Sequence, residues 1–587
     1  MQPQFGFEGY DRNPVRQPPS SCVATTLLYE VELEPYATHG IDLIMPYPSL
    51  AREADWDALR LRSFDTELER VRNFYLGFAN RGAHLTLPEE EKLNDFAKAV
   101  PWHVALSVMR DLRTGLYMVP AGTYGYGACG NEASLQIRML DMLGYHDDAE
   151  KYLETFVVSQ GTGSMDGNFA SNSGALVANN YGGYSDNITS SFAYNLDHGY
   201  ILACMIDHYR LTGNHAWLKR IAATLVRACD YIFEERKATM RLEDNGEKVS
   251  YYGLMPHGHL EDNPEWRCWF SVNAQACGGI LAAAQALREI GHPEAERIMA
   301  DAKAYQDDIM DCVARATANS PAVPNGKGGY MPHIPTQAEI RGRDWGWFRE
   351  VAYGPLHLTS CGLLAPDDAK TTWILRDQED NLFLSRDYGR AVDREKYWFS
   401  RGGMTIQSNL LFNDQVYLER GESERAIRML FNDFAQNLYR DVNCFTEHPI
   451  TDFGLGFGPF FKTPDEAQFI VNLRNHLLRE KGNALCLLQG APRTWFDAGK
   501  TIRFENMATF FGPVSCSMQA EKDAITLNVS ASWRCAPEEI ALYLRTPQGR
   551  TPVQVEINGA PLAGTSMEGD ILRLQTPPEA FTLKVEY

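Results

Sequence analysis

From about residue 89 to 480, apolar positions recur at three- and four-residue intervals, the pattern of amphipathic helices. One form of punctuation interrupts them repeatedly. It reads MLGYHDDAEKYL around Gly144, LTGNHAWLKRI around Gly213 and EIGHPEAERIM around Gly291. It returns as CGLLAPDDAKTTW at Gly362 and ERGESERAIRML around Gly421. Each joins an apolar helix end, a glycine suited to a left-handed C-cap, a few polar residues and a new amphipathic run. The spacing, roughly 60–80 residues, fits a repeat of two helices plus a long loop.

Between these turns lie six stretches rich in Gly, Pro, Asn and aromatics, at about 114–131, 160–197, 238–270, 319–353, 384–403 and 440–465. Five short turns alternating with six long loops predict twelve helices. Successive helices run in opposite directions, so all six loops emerge at one end. Long irregular loops inside a compact domain are typically functional. An open solenoid of helix pairs is the alternative, but solenoid loops are short and regular.

The flanks differ. Residues 1–20 read as an irregular arm. Residues 23–47, VATTLLYEVELEPYATHGIDLIMPY, alternate in stretches and predict one or two strands. Two strands bury no face alone, so they pack on something else or are what remains of a longer N-terminal β-domain. After about residue 484 the period becomes two, in NALCLLQG, TIRFENM, AITLNVSASW, IALYLRT, VQVEING, ILRLQT and FTLKVEY. That predicts a β-sandwich of roughly eight strands. The expected fold is mainly α: an (α/α)6 toroid of twelve helices over 61–483, then an antiparallel β-sandwich over 484–587. An arm and short β segment over 1–60 precede them.

Composition narrows the function. A net charge of −21 argues against nucleic acid as partner, because phosphate binding needs a basic face. No apolar run approaches a membrane span, and the polar opening MQPQFGFEGYDRNPV lacks a signal-peptide core, so a soluble, cytoplasmic protein is expected. The twelve cysteines show neither CxxC nor Cys/His ligand spacing, and buried reduced thiols are expected. His257-Gly258-His259 and His448 stand apart from any HExxH spacing, so neither a metal nor another cofactor is expected.

Twelve helices in six hairpins followed by a β-domain resemble the six-hairpin, (α/α)6-barrel glycosidases. RNHLLREKGNALCLLQGAPRTWFDAGKTIRFENMATFFGPVSCSMQ (474–519) looks like the barrel-to-sandwich junction of bacterial α-L-rhamnosidase-like and related inverting enzymes. GIDLIMPYPSLAREADWDALR looks like their entry into the barrel. The resemblance implies a carbohydrate substrate, a general acid between the fifth and sixth helices and a general base between the eleventh and twelfth.

Inverting glycoside hydrolysis needs two carboxyl groups, one protonated and one that activates water. An acid that keeps its proton needs a desolvated site, so acidic residues beside loop aromatics are the candidates. The third loop, YYGLMPHGHLEDNPEWRCWFSVN, offers Glu261 or Asp262 as general acid, with His257, Trp266 and Arg267 as substrate contacts. The turn Asp262-Asn263-Pro264 has a plain structural reading as well. The sixth loop, CFTEHPITDFGLGFGPFFKTPDEAQF, offers Glu447 as general base, with Asp452 behind it. Asp465 and Glu466 after Thr463-Pro464 read as helix N-terminus charges.

Sugar sites combine aromatic faces with carboxylates and arginines. The fourth loop supplies Asp344, Trp345, Trp347 and Glu350, the last also a reserve catalytic candidate. The fifth supplies Trp398 and Arg401, and the first supplies Tyr124, Tyr126 and Glu132. Asp166, Asp186 and Asp197 in the second loop read as rim or turn residues. A polysaccharide lyase with an arginine at a uronate, a phosphorylase and a noncatalytic carbohydrate-binding protein are the rival readings.

Overall fold

The structure is a computed structural model. It describes residues 30–45, 50, 52–111, 114–123, 127–163, 165–181, 188–192, 194–261, 263–344, 348–382, 407–448, 457–562 and 567–587. The chain divides into two compact units, Met1–Phe74 and Tyr75–Tyr587.

In the first unit, residues 30–45 form no strand. This corrects the expected β segment, of which residues 23–29 and 46–47 lie outside the described residues. The alternating side chains Val31, Leu33, Ile41 and Leu43 are exposed, so nothing rewards the alternation by burying one face. The unit also holds helix α1 (Glu53–Arg60) and the start of α2 (Phe64–Ala79), which ends in the second unit.

In the second unit, twelve helices follow among the described residues. They are α3 (Glu91–Ser107), α4 (Gly130–Met142), α5 (His146–Ser159), α6 (Asp197–Thr212), α7 (His215–Glu235) and α8 (Phe270–Glu289). Then come α9 (Ala295–Asn319), α10 (His357–Ser360), α11 (Ala369–Asp377), α12 (Asn413–Glu419), α13 (Ser423–Asn437) and α14 (Thr463–Leu477). All five glycines read as helix terminators take positive φ, from 66° at Gly213 to 86° at Gly144. At Gly213 the left-handed turn closes with Gly213 N–H donating to Tyr209 O at 2.7 Å, and Asn214 then caps α7 by accepting from Trp217 N–H at 3.0 Å.

Burial separates these helices into two sets. In α4, only Arg138 is not buried, and all of α14 is buried. α9 buries one stripe and exposes the rest. The buried helices pack in series: α4 on α6, α6 on α8, α8 on α10, α10 on α12, α12 on α14, and α14 back on α4. The helices between them in sequence pack outside: α5 on α4 and α6, α7 on α6 and α8, α9 on α8, α13 on α12 and α14, and α3 on α14.

The C-terminal part is rich in sheet. One sheet has seven strands: Thr501–Met507, Val514–Ala520, Ala524–Ala531, Ala580–Glu586, Gln554–Ile557 and Ala560–Pro561, with His84–Thr86 from before α3 paired on its edge. The other has four: Leu478–Lys481, Ala484–Leu487, Glu539–Tyr543 and Ile571–Gln575. Every period-two run named above contains a strand. The expectation of purely antiparallel pairing needs correction, because Ala484–Leu487 and Glu539–Tyr543 run parallel. Three strands of the other sheet intervene in sequence between them, and that long connection is what permits the parallel pair. No described helix is long and apolar enough to cross a membrane.

Candidate functional site

The N-termini of three buried helices carry acidic and amide side chains. Asn131 and Glu132 open α4, Asp197 opens α6, and Asp465 and Glu466 lie in the first turn of α14. All five are buried. A helix N-terminus favours negative charge, which offsets part of the desolvation penalty.

Glu261 sits at the turn between Gly258–Leu260 and Asn263–Arg267, a short antiparallel hairpin with a register shift before its tip. Its φ is +42°, left-handed for a side chain that rarely adopts it. Such a conformation persists where surroundings enforce it and is concentrated at functional sites. Here the hairpin is anchored by His259 N–H to Asp166 O at 2.8 Å and by Trp269 Nε1–H to Gly258 O at 3.2 Å. Glu261 is 7% exposed, and Oε1 accepts from Asn131 Nδ2 at 2.5 Å.

Glu447 lies in Thr446–His448, paired antiparallel with Phe457–Phe460. Phe445 anchors it, stacking on Phe96 of α3 at 4.5 Å between centroids. Phe445 N–H donates to Glu466 Oε1 at 2.9 Å, and the other Glu466 oxygen meets His103 Nδ1 at 2.9 Å. Glu466 thus ties the loop to α3 and α14.

Lys462 joins the two halves. It immediately precedes α14, with Pro464 in the first turn, and is 2% exposed. Its Nζ lies 2.8 Å from Glu132 Oε1 and 3.4 Å from Glu447 Oε1. Burial alone would push the ammonium toward losing its proton, but the carboxylates of Glu132, Glu447 and Asp465 outweigh burial and hold its pKa above that of ordinary lysine. Asn409 Nδ2 donates to Glu132 Oε1 at 3.1 Å, and Asn409 N–H donates to Asp465 at 3.3 Å. Burial pushes the Asp465 carboxyl well above the usual range. Asp197 accepts from Asn131 N–H at 2.9 Å and Tyr194 N–H at 3.2 Å. Burial still raises it to about 7.

Several buried polar atoms here have no protein partner among the described residues: Asn131 Oδ1, Asn409 Oδ1, Asp465 Oδ2, Thr446 Oγ1 and Thr463 Oγ1. Buried polar atoms are nearly always satisfied, so such a concentration marks a place where water or a ligand supplies the missing bonds.

Of the expected fourth-loop contacts, Asp344 and Glu350 belong to a hydrogen-bonded network that Arg349 ties to Glu265 at 3.0 Å. Glu350 is buried, with Oε2 on His333 Nε2 at 3.0 Å and Oε1 accepting from Asp344 N–H at 2.6 Å. Asp344 accepts from Thr336 at 2.8 Å, Gln337 at 3.0 Å and Arg349 at 3.1 Å. Both are loop organisers by geometry. His333, Glu350 and Asp377 group their ligand-type atoms, as do His257, Cys268 and Glu339. In the first group, Arg343 already supplies positive charge, 2.5 Å from Asp377 and 3.7 Å from Glu350. In the second, His257 pairs directly with Glu339. Trp266 is exposed, and Arg267 lies 3.8 Å from Glu265. Tyr124, Tyr126, Asp186, Asp262, Trp345, Trp347, Trp398, Arg401 and Asp452 lie outside the described residues.

Lys462, Asn131 and Asn409 escaped the sequence reading, because nothing local distinguishes a buried lysine in FKTPDE from a surface one. The signal available was positional: each lies at or just before the start of a buried helix.

No family model and no curated protein matches this chain. Solved structures resembling it include a bacterial glucoamylase bound to acarbose, at 12% identity and TM-score 0.48, covering 72% of this chain and 60% of that one. An α-L-rhamnosidase of Streptomyces avermitilis bound to L-rhamnose matches at 11% identity and TM-score 0.49, covering 86% and 42%. A wild-type glycosidase matches at 16% identity and TM-score 0.44, covering 66% and 98%. These neighbours are glycosidases. At such scores and identities they transfer no residue role and no substrate to this chain.

Proposed function

We propose that the chain is a glycoside hydrolase acting by inversion, with Glu261 as general acid and Glu447 as general base. On this reading the twelve helices form an (α/α)6 toroid over 61–483, and the sheets form a sandwich over 484–587. The observation that carries it is the convergence of two distant loops on one dipeptide. Glu261 reaches Asn131, and Glu447 reaches the neighbouring Glu132 through Lys462.

The roles follow from the surroundings. The Lys462 ammonium favours the ionised form of Glu447, the state a base needs to take a proton from water. Glu261 lies in a desolvated place, the setting in which a carboxyl keeps a proton to give up. The leaving oxygen takes that proton as the glycosidic bond breaks, and water deprotonated by Glu447 attacks the opposite face. Asp262, the next residue in sequence, is the alternative acid.

Glu447→Gln, and either Glu261→Gln or Asp262→Asn, abolish turnover on a glycan panel while thermal melting stays near wild type. Near wild-type rates in all three variants would overturn the proposal. NMR of the first-formed product anomer tests inversion. The lyase alternative draws no support from Arg343, committed to Asp377, or from Arg349, committed to Asp344 and Glu265.

A further inference from the structure

A cavity lies among the buried helices, and none of Glu132, Glu261, Glu447 and Asp465 lines it. Its volume is about 260 Å³, and α4, α6, α8, α10 and α12 or the residues beside them line it. Exposure along the helices follows it. Arg138 is the one residue of α4 that is not buried. On α6 the partly exposed residues Ala203, Asp207 and Arg210 recur at helical spacing, and Gly278 and Ala282 do the same on α8. The cavity wall sets the polar side chains of Arg138, Asp207, Arg210 and Gln275 among small ones such as Ala203, Gly278 and Ala282.

The polar atoms at its wall are incompletely used. Arg138 Nε lies 2.9 Å from Asp207 Oδ2, and neither Nη of Arg138 bonds to a protein atom among the described residues. The Tyr200 hydroxyl has no protein partner among the described residues. Gln275 Nε2 donates to His357 Nδ1 at 3.0 Å, which leaves the Gln275 carbonyl oxygen without a protein hydrogen bond. His357 is neutral here, since burial lowers its pKa to about 4, and its Nε2–H donates to Ala352 O at 3.0 Å. The Gln275 amide is thereby held in one orientation.

An adjacent guanidinium and carboxylate suit a vicinal diol. One hydroxyl donates to the carboxylate, and its neighbour accepts from the guanidinium. The pair is close to neutral, and the other charged group of the wall, Arg210, has its guanidinium over the Phe510 ring at 5.6 Å. The rings of Tyr200 and Phe412 add apolar surface for C–H faces.

We propose that this cavity is a second, noncatalytic binding site for a neutral polyhydroxylated small molecule of monosaccharide size. The choice of sugars as ligands rests on the glycosidase reading, whereas the cavity and its unused donors and acceptors do not.

The test is saturation-transfer NMR with D-glucose, D-mannose, L-rhamnose and glycerol, each titrated into four proteins. These are wild type, Ala203→Leu, which fills the cavity, Asp207→Asn, which is isosteric, and Glu447→Gln. At least one ligand binds wild type and Glu447→Gln alike. Its affinity falls roughly tenfold or more in Asp207→Asn, and binding disappears in Ala203→Leu, with turnover unchanged in both. Equal affinity in all four proteins, or binding by none of the four ligands to wild type, overturns the site. Asp207→Asn decides the matter should Ala203→Leu melt early. Full turnover by Glu447→Gln would overturn the catalytic reading and leave the NMR result standing.

Discussion

The side-chain amide of Asn131 donates to Glu261 at 2.5 Å across 130 positions of sequence. One helix N-terminus thereby holds the tip of a hairpin from a distant loop, with Glu261 in a left-handed backbone conformation. Neither residue reaches this arrangement alone, and the pair joins the start of α4 to the loop before α8.

Asn131→Ala removes the donor while leaving the helix intact. We expect kcat to fall roughly 10- to 100-fold, the cost of one hydrogen bond to a buried charged or reacting group, with KM within about twofold. Steady-state kinetics on the active glycan measures it. An unchanged kcat would mean that the amide has no part in orienting Glu261.

Lys462→Met leaves Glu132 and Glu447 without their shared cation. Removing one partner of a buried ionic cluster typically destabilises by about 3–5 kcal/mol. Urea unfolding should show a loss in that range, partly restored in Lys462→Met combined with Glu132→Gln. A loss under about 1 kcal/mol would show that the carboxylates relax into water.

Acid stability is set by opposing groups. Burial raises Asp197 from 3.8 to about 7, so between those values the native state holds a proton that the unfolded chain has released. Its contribution is largest below about pH 4 and is lost as pH rises to about 7. Burial lowers His198 and His357 from 6.5 to about 4, so their contribution is present above 6.5 and is lost as pH falls to about 4. Asp465, likewise raised by burial, acts in the same sense as Asp197. Asp197→Asn removes one of these carboxyls, so on acidification its stability falls relative to that of wild type, by up to about 1.4 kcal/mol per pH unit. Urea midpoints across the window test this, and parallel curves for the two proteins would contradict it.

The helix-terminating glycines differ in their surroundings. Gly291→Ala meets open space and bears only the left-handed penalty, of about 1 kcal/mol. In Gly213→Ala the new Cβ also comes within 2.9 Å of the Arg534 side chain, which is bonded to Arg210 O and Thr509 O. Gly213→Ala should therefore melt lower than Gly291→Ala, and the reverse order by calorimetry would refute the account.

The helical order was legible because it is written in local terms. A glycine with positive φ and the polar step after it act within a few residues, and Gly144, Gly213, Gly291, Gly362 and Gly421 all behave accordingly. Over residues 30–45 the N-terminal β segment was misread because alternation predicts a strand only where one face is buried, and Val31 and Leu43 are exposed. Glu261 and Glu447 stood out as acids beside aromatics. Lys462 did not, since its burial depends on helices brought together from across the chain. Glu350, equally conspicuous beside tryptophans, is consumed by His333 and the Asp344 backbone.

The edge strand His84–Thr86 pairs with Thr501–Met507, and α3 packs on α14. During synthesis, the early strand must wait for more than four hundred further residues before its partner exists. Contacts of such sequence separation form slowly, because the loop must close before any pairing rewards it. The nascent chain therefore carries an unsealed seam until Thr501–Met507 has left the ribosome.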